Sequence, residues 1–446
     1  MTDHHNPSQS SHPTFSTLRG YSHAWRALRH RNFRLFFGGQ SISLIGTWMT
    51  RIATAWLVYR LTHSALLLGV VGFAGQIPIF IMAPFAGVVV DRLDLRRVLV
   101  WTQSLAMVQS LALAWLTLSH RINIPEILAL SVFQGFINSF DMPGRQSFMV
   151  KMVGDRADLS NAIAINSSMV NAARLLGPSL AGLLIAATNE GWCFLVDGVS
   201  YIAVIVSLLM MILPGEDASR AQTSMLAQLQ DGWTYVSGSV PIRTILLLFA
   251  VLSLMGWPFM VLMPIFAAKV LHGGPNTLGF LMGAIGIGSL VSALAMVVRR
   301  SVRGLTRTIP IDAAAFGAGL VLFGFSHSYW LSILLMLLTG FGMMQGLVAS
   351  NTIVQTLVDE EMRGRVMSYY TMAFVGMAPF GNLLAGGLAS RIGAPHTVIV
   401  SGIACILGAA WFWSRLPRIR REMRPVYERL GIIPQSSLAI DEPGES

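Results

Sequence analysis

Apolar residues run through this chain in long unbroken blocks, and the blocks are spaced by short polar breaks. Twelve of them are long enough to cross a bilayer, whose hydrocarbon core of about 30 Å takes about 20 residues of helix. They cover roughly 33–59, 64–90, 98–118, 124–146, 160–187 and 192–213 in the first half. The second half gives roughly 243–268, 276–298, 307–326, 328–351, 365–391 and 394–414, with the break at Ser326 to Ser328 separating the fourth last from the third last. The pattern predicts an all-α membrane protein of twelve transmembrane helices in two six-helix bundles. The expected boundaries are a tail at 1–32, a bundle at 33–213, a linker at 214–241, a second bundle at 242–414 and a tail at 415–446.

Composition agrees. Of 446 residues 54% are hydrophobic and 12% charged, against about 25% charged in a soluble protein. Met1 to Arg31 is polar and offers no apolar signal region, and Phe33 to Tyr59 is too long for one, so the first block is expected to stay as a helix. Cys193 and Cys405 sit inside apolar blocks and form neither a disulfide framework nor a metal spacing.

A net charge of +10 would suggest nucleic acid in a soluble chain. Here the distribution points to topology and not to a nucleic-acid partner. With both termini cytoplasmic, four basic residues fall at outer ends, Arg60, Arg121, Lys269 and Arg391, and two inside spans, Arg51 and Arg174. The other 25 of the 31 lie in or beside cytoplasmic segments. That bias orients the chain in a cell inner or plasma membrane with both ends inside.

The link between the second and third spans, "DRLDLRR", packs five charges into seven residues. Arg92, Arg96 and Arg97 suit an anionic inner leaflet, as basic loops do in any polytopic protein. Asp91 is left unexplained by that reading. The halves also resemble each other: "ARLLGPSLAGLLIA" in the fifth span and "VGMAPFGNLLAGGLA" in the eleventh each place a proline before small residues, which let helices approach closely in lipid. Paired repeats about a polar linker are a transporter architecture.

Gly87, Asp91, Arg92, Arg96 and Arg97 together resemble the signature loop of the major facilitator superfamily, with Asp94-Leu95 where Gly-Arg often stands. "GTWMTRIATAWLVYRLTHSALLLG", "FDMPGRQSF", "LSNAIAINSSMVNAARLLGP" and "RGRVMSYY" are similar to the secretion-type branch that includes the enterobactin exporter. The resemblance implies that Asp91 latches one access state against the start of the eleventh helix, near Arg363 and Arg365, with Gly87 permitting close approach. It also implies that spans 1, 4, 7 and 10 line a central cavity, and that Gly177, Pro178 and Gly182 form the exporter motif of the fifth span. The arginine expected in the first half of the fourth span of drug–proton antiporters is missing from "LALSVFQGF".

Ionisable groups at membrane depth are functional candidates. Gln134, Asn138, Asp141 and Arg145 share one face of the fourth span; Gln40, Thr47 and Arg51 share one face of the first; Ser167, Asn171 and Arg174 share one of the fifth. Such stripes face a wet cavity or another helix, never lipid. Arg51, Gln134, Asn138, Trp257 and Gln345 are the cavity candidates, and Asp141, Arg145 and Arg174 the coupling or ion-pair candidates. The competing reading pairs Asp141 with Arg145 or Arg174 simply to hold the first bundle together. "DMPGR" is also expected to break the fourth helix, and Asp197 is the one acid near the depth of Arg51.

There is no phosphate loop, metal cluster or catalytic triad in the sequence. The expectation is therefore not an enzyme and needs no cofactor. It is a monomeric secondary transporter in the lipid bilayer that exports a siderophore-like small molecule in exchange for protons, with Arg51 for an anionic or catechol-like group. Multidrug efflux is the alternative, and a lipid flippase a third.

Overall fold

The computed structural model describes residues 26–153, 156–212, 225–299 and 302–432; among these, the side chains of 83, 84, 87, 88, 91, 92, 156, 157, 160, 225–229, 297 and 298 are outside the description. The described residues are helical almost throughout and hold no strand. The first six long helices are α1 (Arg31–Thr62), α2 (Ala65–Arg92), α3 (Leu95–Leu118), α4 (Ile124–Met152), α5 (Arg156–Ala187) and α6 (Glu190–Leu209). A shorter α7 (Met225–Gly238) lies in the linker. Then come α8 (Val240–Val270), α9 (Pro275–Val298), α10 (Leu305–Phe325), α11 (Tyr329–Leu357), α12 (Arg363–Ile392) and α13 (Ala394–Arg429).

Ten of the twelve long helices are apolar and long enough to cross a membrane by composition alone. The other two, α1 and α4, are equally long and carry the polar stripes, so their interior faces lower their hydrophobicity. Large apolar side chains point outward along the bundle, as with Trp330 at 78% and Trp101 at 68% exposure. Such a surface is stable against lipid and not against water.

Turns between helices are tight and capped. Asp94 accepts hydrogen bonds from the backbone N–H groups of Arg96 (2.9 Å) and Arg97 (3.2 Å), so the charged hairpin also starts α3. Asn123 and Glu126 form a capping box at α4. His63 closes α1 in the left-handed region at φ 50°.

Within each set of six the helices pack side by side, α1 and α3 against α6, α2 against α4, α9 and α10 against α11, and α10 against α13. The substantial contacts between the two sets are α5 with α9 and α2 with α12. Both depend on missing side chains. A Cβ on Gly182 would meet the Pro275 carbonyl at 2.6 Å and the Gly279 Cα at 3.0 Å; one on Gly386 would meet the Gly69 Cα at 2.8 Å. These contacts lie toward the end of the bundle opposite the termini, here termed the far end.

One expectation needs correction, and two polar segments prove to contain helix. Helix α4 does not stop at "DMPGR": it continues through Pro143 to Met152, with Phe148 and Met152 fully buried against the first bundle. Within the linker, α7 docks on α12. The tail after Arg415 is helical to Arg429, because Ile419, Met423 and Tyr427 repeat at helical spacing and are buried. The Thr306 hydroxyl donates to the Met423 sulfur at 3.8 Å.

Candidate functional site

The interior of the first bundle is built around three carboxylates, each with its own donors. Asp141 is 2% exposed and lies between α3 and α4. It accepts from the Thr102 hydroxyl (3.0 Å) and the Gln103 amide (2.7 Å) and pairs with Arg145 one turn along. It therefore faces α3 and not the cavity. Asp197 on α6 accepts from Thr50 of α1 (2.8 Å) and Ser110 of α3 (2.9 Å) through Oδ2. Its Oδ1 has no hydrogen-bond partner. Tyr201, buried one turn along α6, sits 3.5 Å from the Thr47 hydroxyl and in the field of both carboxylates. At the far end, Glu190 accepts two hydrogen bonds from Arg60, at 2.7 and 2.9 Å.

The two arginines inside the spans take none of these acids. Arg51 and Arg174 both lie over the Trp48 ring, with guanidinium carbons 4.6 and 5.3 Å from its centroid. Arg51 is exposed, and no acidic side chain pairs with it among the described residues. Arg174 is half-buried, and its Nε has no hydrogen-bond partner. Local sequence explains how they meet. Gly177 has no side chain where one would strike the Trp48 Cβ and the Ile45 carbonyl, so α5 can lie against α1. A Cβ on Gly286 of α9 would meet the Leu175 Cα at 2.9 Å and the Arg174 carbonyl at 3.2 Å. Thus Gly177, Pro178 and Gly182 make α5 the thin element between α1 and the other half, where the Pro178 carbonyl faces Gly279.

The second bundle holds an aromatic cluster where two of its helices are irregular. Helix α8 is interrupted by π-turns at Leu252–Gly256 and Phe266–Val270, and α12 by one at Met372–Gly376. Pro258 and Pro264 in α8 and Pro379 in α12 lack the N–H groups that a regular helix needs there. The two facing π-turns are joined: the Ser253 hydroxyl donates to the Phe374 carbonyl at 2.5 Å. Trp257 stands edge-on to Phe374 at 4.5 Å between centroids. π-Turns recur at functional positions in helices.

Other expected site residues fall as follows. The Gln134 amide donates to Asn138 at 3.2 Å, and both are half-buried on α4. Gln345 on α11 accepts from Ser292 of α9 at 2.9 Å, which ties those two helices. Arg96 donates to the Leu209 carbonyl and Arg97 lies 3.3 Å from Asp94, so both stay with the first bundle. Arg365 pairs with Asp231 of α7 at 2.9 Å, while Arg363 is exposed. The side chains of Gly87, Asp91 and Arg92 lie outside the described residues.

Sequence reasoning missed Trp48, the α7 contact of Arg365 and the hydroxyl cradle of Asp197. The signal for Trp48 was present, since it lies three residues before Arg51 on one helix face.

Residues 22–434 match the family model described as transmembrane secretion effector. The chain belongs to that family, a branch of the major facilitator superfamily, and is a multi-pass membrane transporter of small molecules. It is 27% identical to the staphyloferrin A transporter of Staphylococcus aureus over 87% of this chain and 98% of that protein. It is 26% identical to the multidrug efflux pump Tap of Mycolicibacterium fortuitum, covering 84% and 93%. The enterobactin exporter EntS of Citrobacter koseri is 25% identical, covering 89% and 94%. Among solved structures, a POT family transporter in complex with 5-aminolevulinic acid superposes with a TM-score of 0.69 at 13% identity, over 87% of this chain and 96% of that one.

Proposed function

We propose that this protein exports a siderophore-like secreted metabolite from the cytoplasm by alternating access, in exchange for protons. The observation that carries the reading is Arg51: a cation within a membrane span, set over Trp48 beside Arg174 and free of any ion pair among the described residues. The similarity to the staphyloferrin A transporter and the enterobactin exporter supports the substrate type. The excess of arginine and lysine at the end bearing the termini supports a cytoplasmic placement of that end, and the far-end contacts of α2 with α12 and α5 with α9 support a state open to the cytoplasm.

For the coupling proton, Asp197 suits the role better than Asp141. Its donors are hydroxyls, so a proton can be taken up without breaking an ion pair, whereas Asp141 would have to release Arg145. The loop of Asp91 and the start of α12 with Arg363 and Arg365 remain the proposed latch of the opposite state. The two six-helix sets would then move as units, with the far-end contacts separating as the opposite state opens.

Multidrug efflux is the second reading, favoured by the aromatic pair of Trp257 and Phe374 and by the similarity to Tap. A deletion strain and its complemented partner, grown with and without iron, separate the two. We expect one iron-chelating product to vanish from the medium on deletion and to return on complementation, as read by mass spectrometry. An unchanged secreted profile with altered drug susceptibility would replace the first reading by the second.

A further inference from the structure

No buried carboxylate described in the first bundle forms an ion pair with Arg51 or Arg174. Asp141 is taken by Arg145, Thr102 and Gln103, Asp197 by Thr50 and Ser110, and Glu190 by Arg60. Asp158, near the termini, pairs with Arg26 and His30. Arg51 and Arg174 therefore form a like-charged pair at membrane depth with no carboxylate of this chain to answer it among the described residues. Isolated cations at that depth are costly, and two brought together cost more by mutual repulsion. The pair is nevertheless built deliberately. One indole holds both guanidinium carbons within 5.3 Å of its centroid, where the ring face attracts cations. Gly177 and Gly286 remove the side chains that would keep α5 from its place. Stacking engages the flat faces of the guanidinium groups and leaves their N–H edges for hydrogen bonds. One such donor, Arg174 Nε, is buried and unpartnered, and buried donors normally have partners.

Resting on the export reading above, we propose that Trp48, Arg51 and Arg174 form a two-cation clamp that holds two carboxylates of one small polyanionic substrate. Each guanidinium offers paired N–H groups that match a carboxylate. The ligand supplies the missing negative charge, so the occupied site is near neutral and the empty site is not. Arg174 lies on α5 where that helix meets α9, which places the substrate charge at the contact between the two halves. Cationic drugs are disfavoured at the same site by both arginines. The role of Arg174 is then substrate contact and not an ion pair with Asp141.

The test uses the full chain in phosphatidylcholine nanodiscs with four probes, acetate, succinate, citrate and the uncharged triamide of citric acid, read by thermal shift and calorimetry. We expect binding to strengthen from acetate through succinate to citrate, with no binding of the triamide. Arg51→Gln and Arg174→Gln should each weaken citrate binding about tenfold or more, with Arg174→Lys less affected. The comparison of citrate with its triamide needs no variant, so a misfolded variant does not spare the proposal. Equal binding of the triamide, or no arginine-dependent binding of any carboxylate in the series, would overturn it. So would arginine-dependent stabilisation by phosphatidylglycerol that excludes citrate, which would make the occupant a lipid headgroup. Failure of the secretion comparison with citrate binding intact would remove the export reading and leave the clamp.

Discussion

The Thr50 hydroxyl donates to the Asp197 carboxylate at 2.8 Å, one residue before Arg51. The same carboxylate is held from α3 by Ser110 at 2.9 Å, so the first, third and sixth helices meet at one acid. The substrate cation proposed on α1 and the proton site proposed on α6 are thereby linked through one hydrogen bond. Asp197→Asn keeps the shape and an acceptor but cannot carry a proton. We expect it to fold with normal yield, to cut export by about tenfold or more, and to remove the dependence of the remaining export on the pH gradient. Export assayed in cells with and without a protonophore measures this.

Asp141→Asn has a different expected signature. The change leaves Arg145, which is largely buried, without its counter-charge, although Thr102 keeps an acceptor. Breaking such a pair costs about 3–5 kcal/mol when both partners are fully buried, and somewhat less here. Thermal unfolding in detergent should show a lowered midpoint, and export per folded molecule should fall less than in Asp197→Asn.

Gly182→Val tests the packing of the two halves. A Cβ there would already press on the Pro275 carbonyl and the Gly279 Cα, both backbone atoms that cannot rotate away. Overpacking of this kind costs about 1–3 kcal/mol. We expect the protein to reach the membrane with a lowered unfolding midpoint and lost export. Gly238→Val, where nothing lies within 4 Å of the added atom, is the control and should behave as wild type.

The linker helix supplies a prediction of small size. Arg365 and Asp231 are partly exposed, so their ion pair contributes about 0–1 kcal/mol. Tyr235 donates to Asp359 at 3.1 Å and Trp233 stacks on Tyr369 at 6.0 Å, which leaves α7 docked without the pair. Arg365→Ala should therefore leave the unfolding midpoint nearly unchanged. If Arg365 also serves the latch of the opposite state, its export will fall severalfold while stability does not, and a charge-retaining Arg365→Lys will keep most of it.

The twelve helices were readable because each needed a long apolar block, and no folded context changes that requirement. The stripe of Gln134, Asn138, Asp141 and Arg145 was readable from helical spacing. What Asp141 touches was not, because Thr102 and Gln103 lie on another helix and carry no special spacing. Arg174 was grouped with Asp141 on charge alone, yet a glycine beside Trp48 steers it to Arg51. The extension of α13 was missed because its apolar stripe is diluted by arginines that pair with glutamates one turn on, Arg418 with Glu422 and Arg424 with Glu428. "DMPGR" was read as a stop, since proline removes one helical hydrogen bond; burial of Phe148 and Met152 beyond it outweighs that loss.

The most direct test of transport by movement of the two halves is a cross-link between α5 and α9. A Cβ on Gly283 would lie 3.9 Å from the Ser179 Cβ, within the span of about 3.5–4.5 Å that a disulfide requires. In Ser179→Cys/Gly283→Cys the bond should form on mild oxidation, with Cys193 and Cys405 buried and silent. Export of the secreted product would be measured in the oxidised and the reduced protein. The account predicts that export stops on oxidation and returns on reduction. Undiminished export with the disulfide fully formed would contradict it.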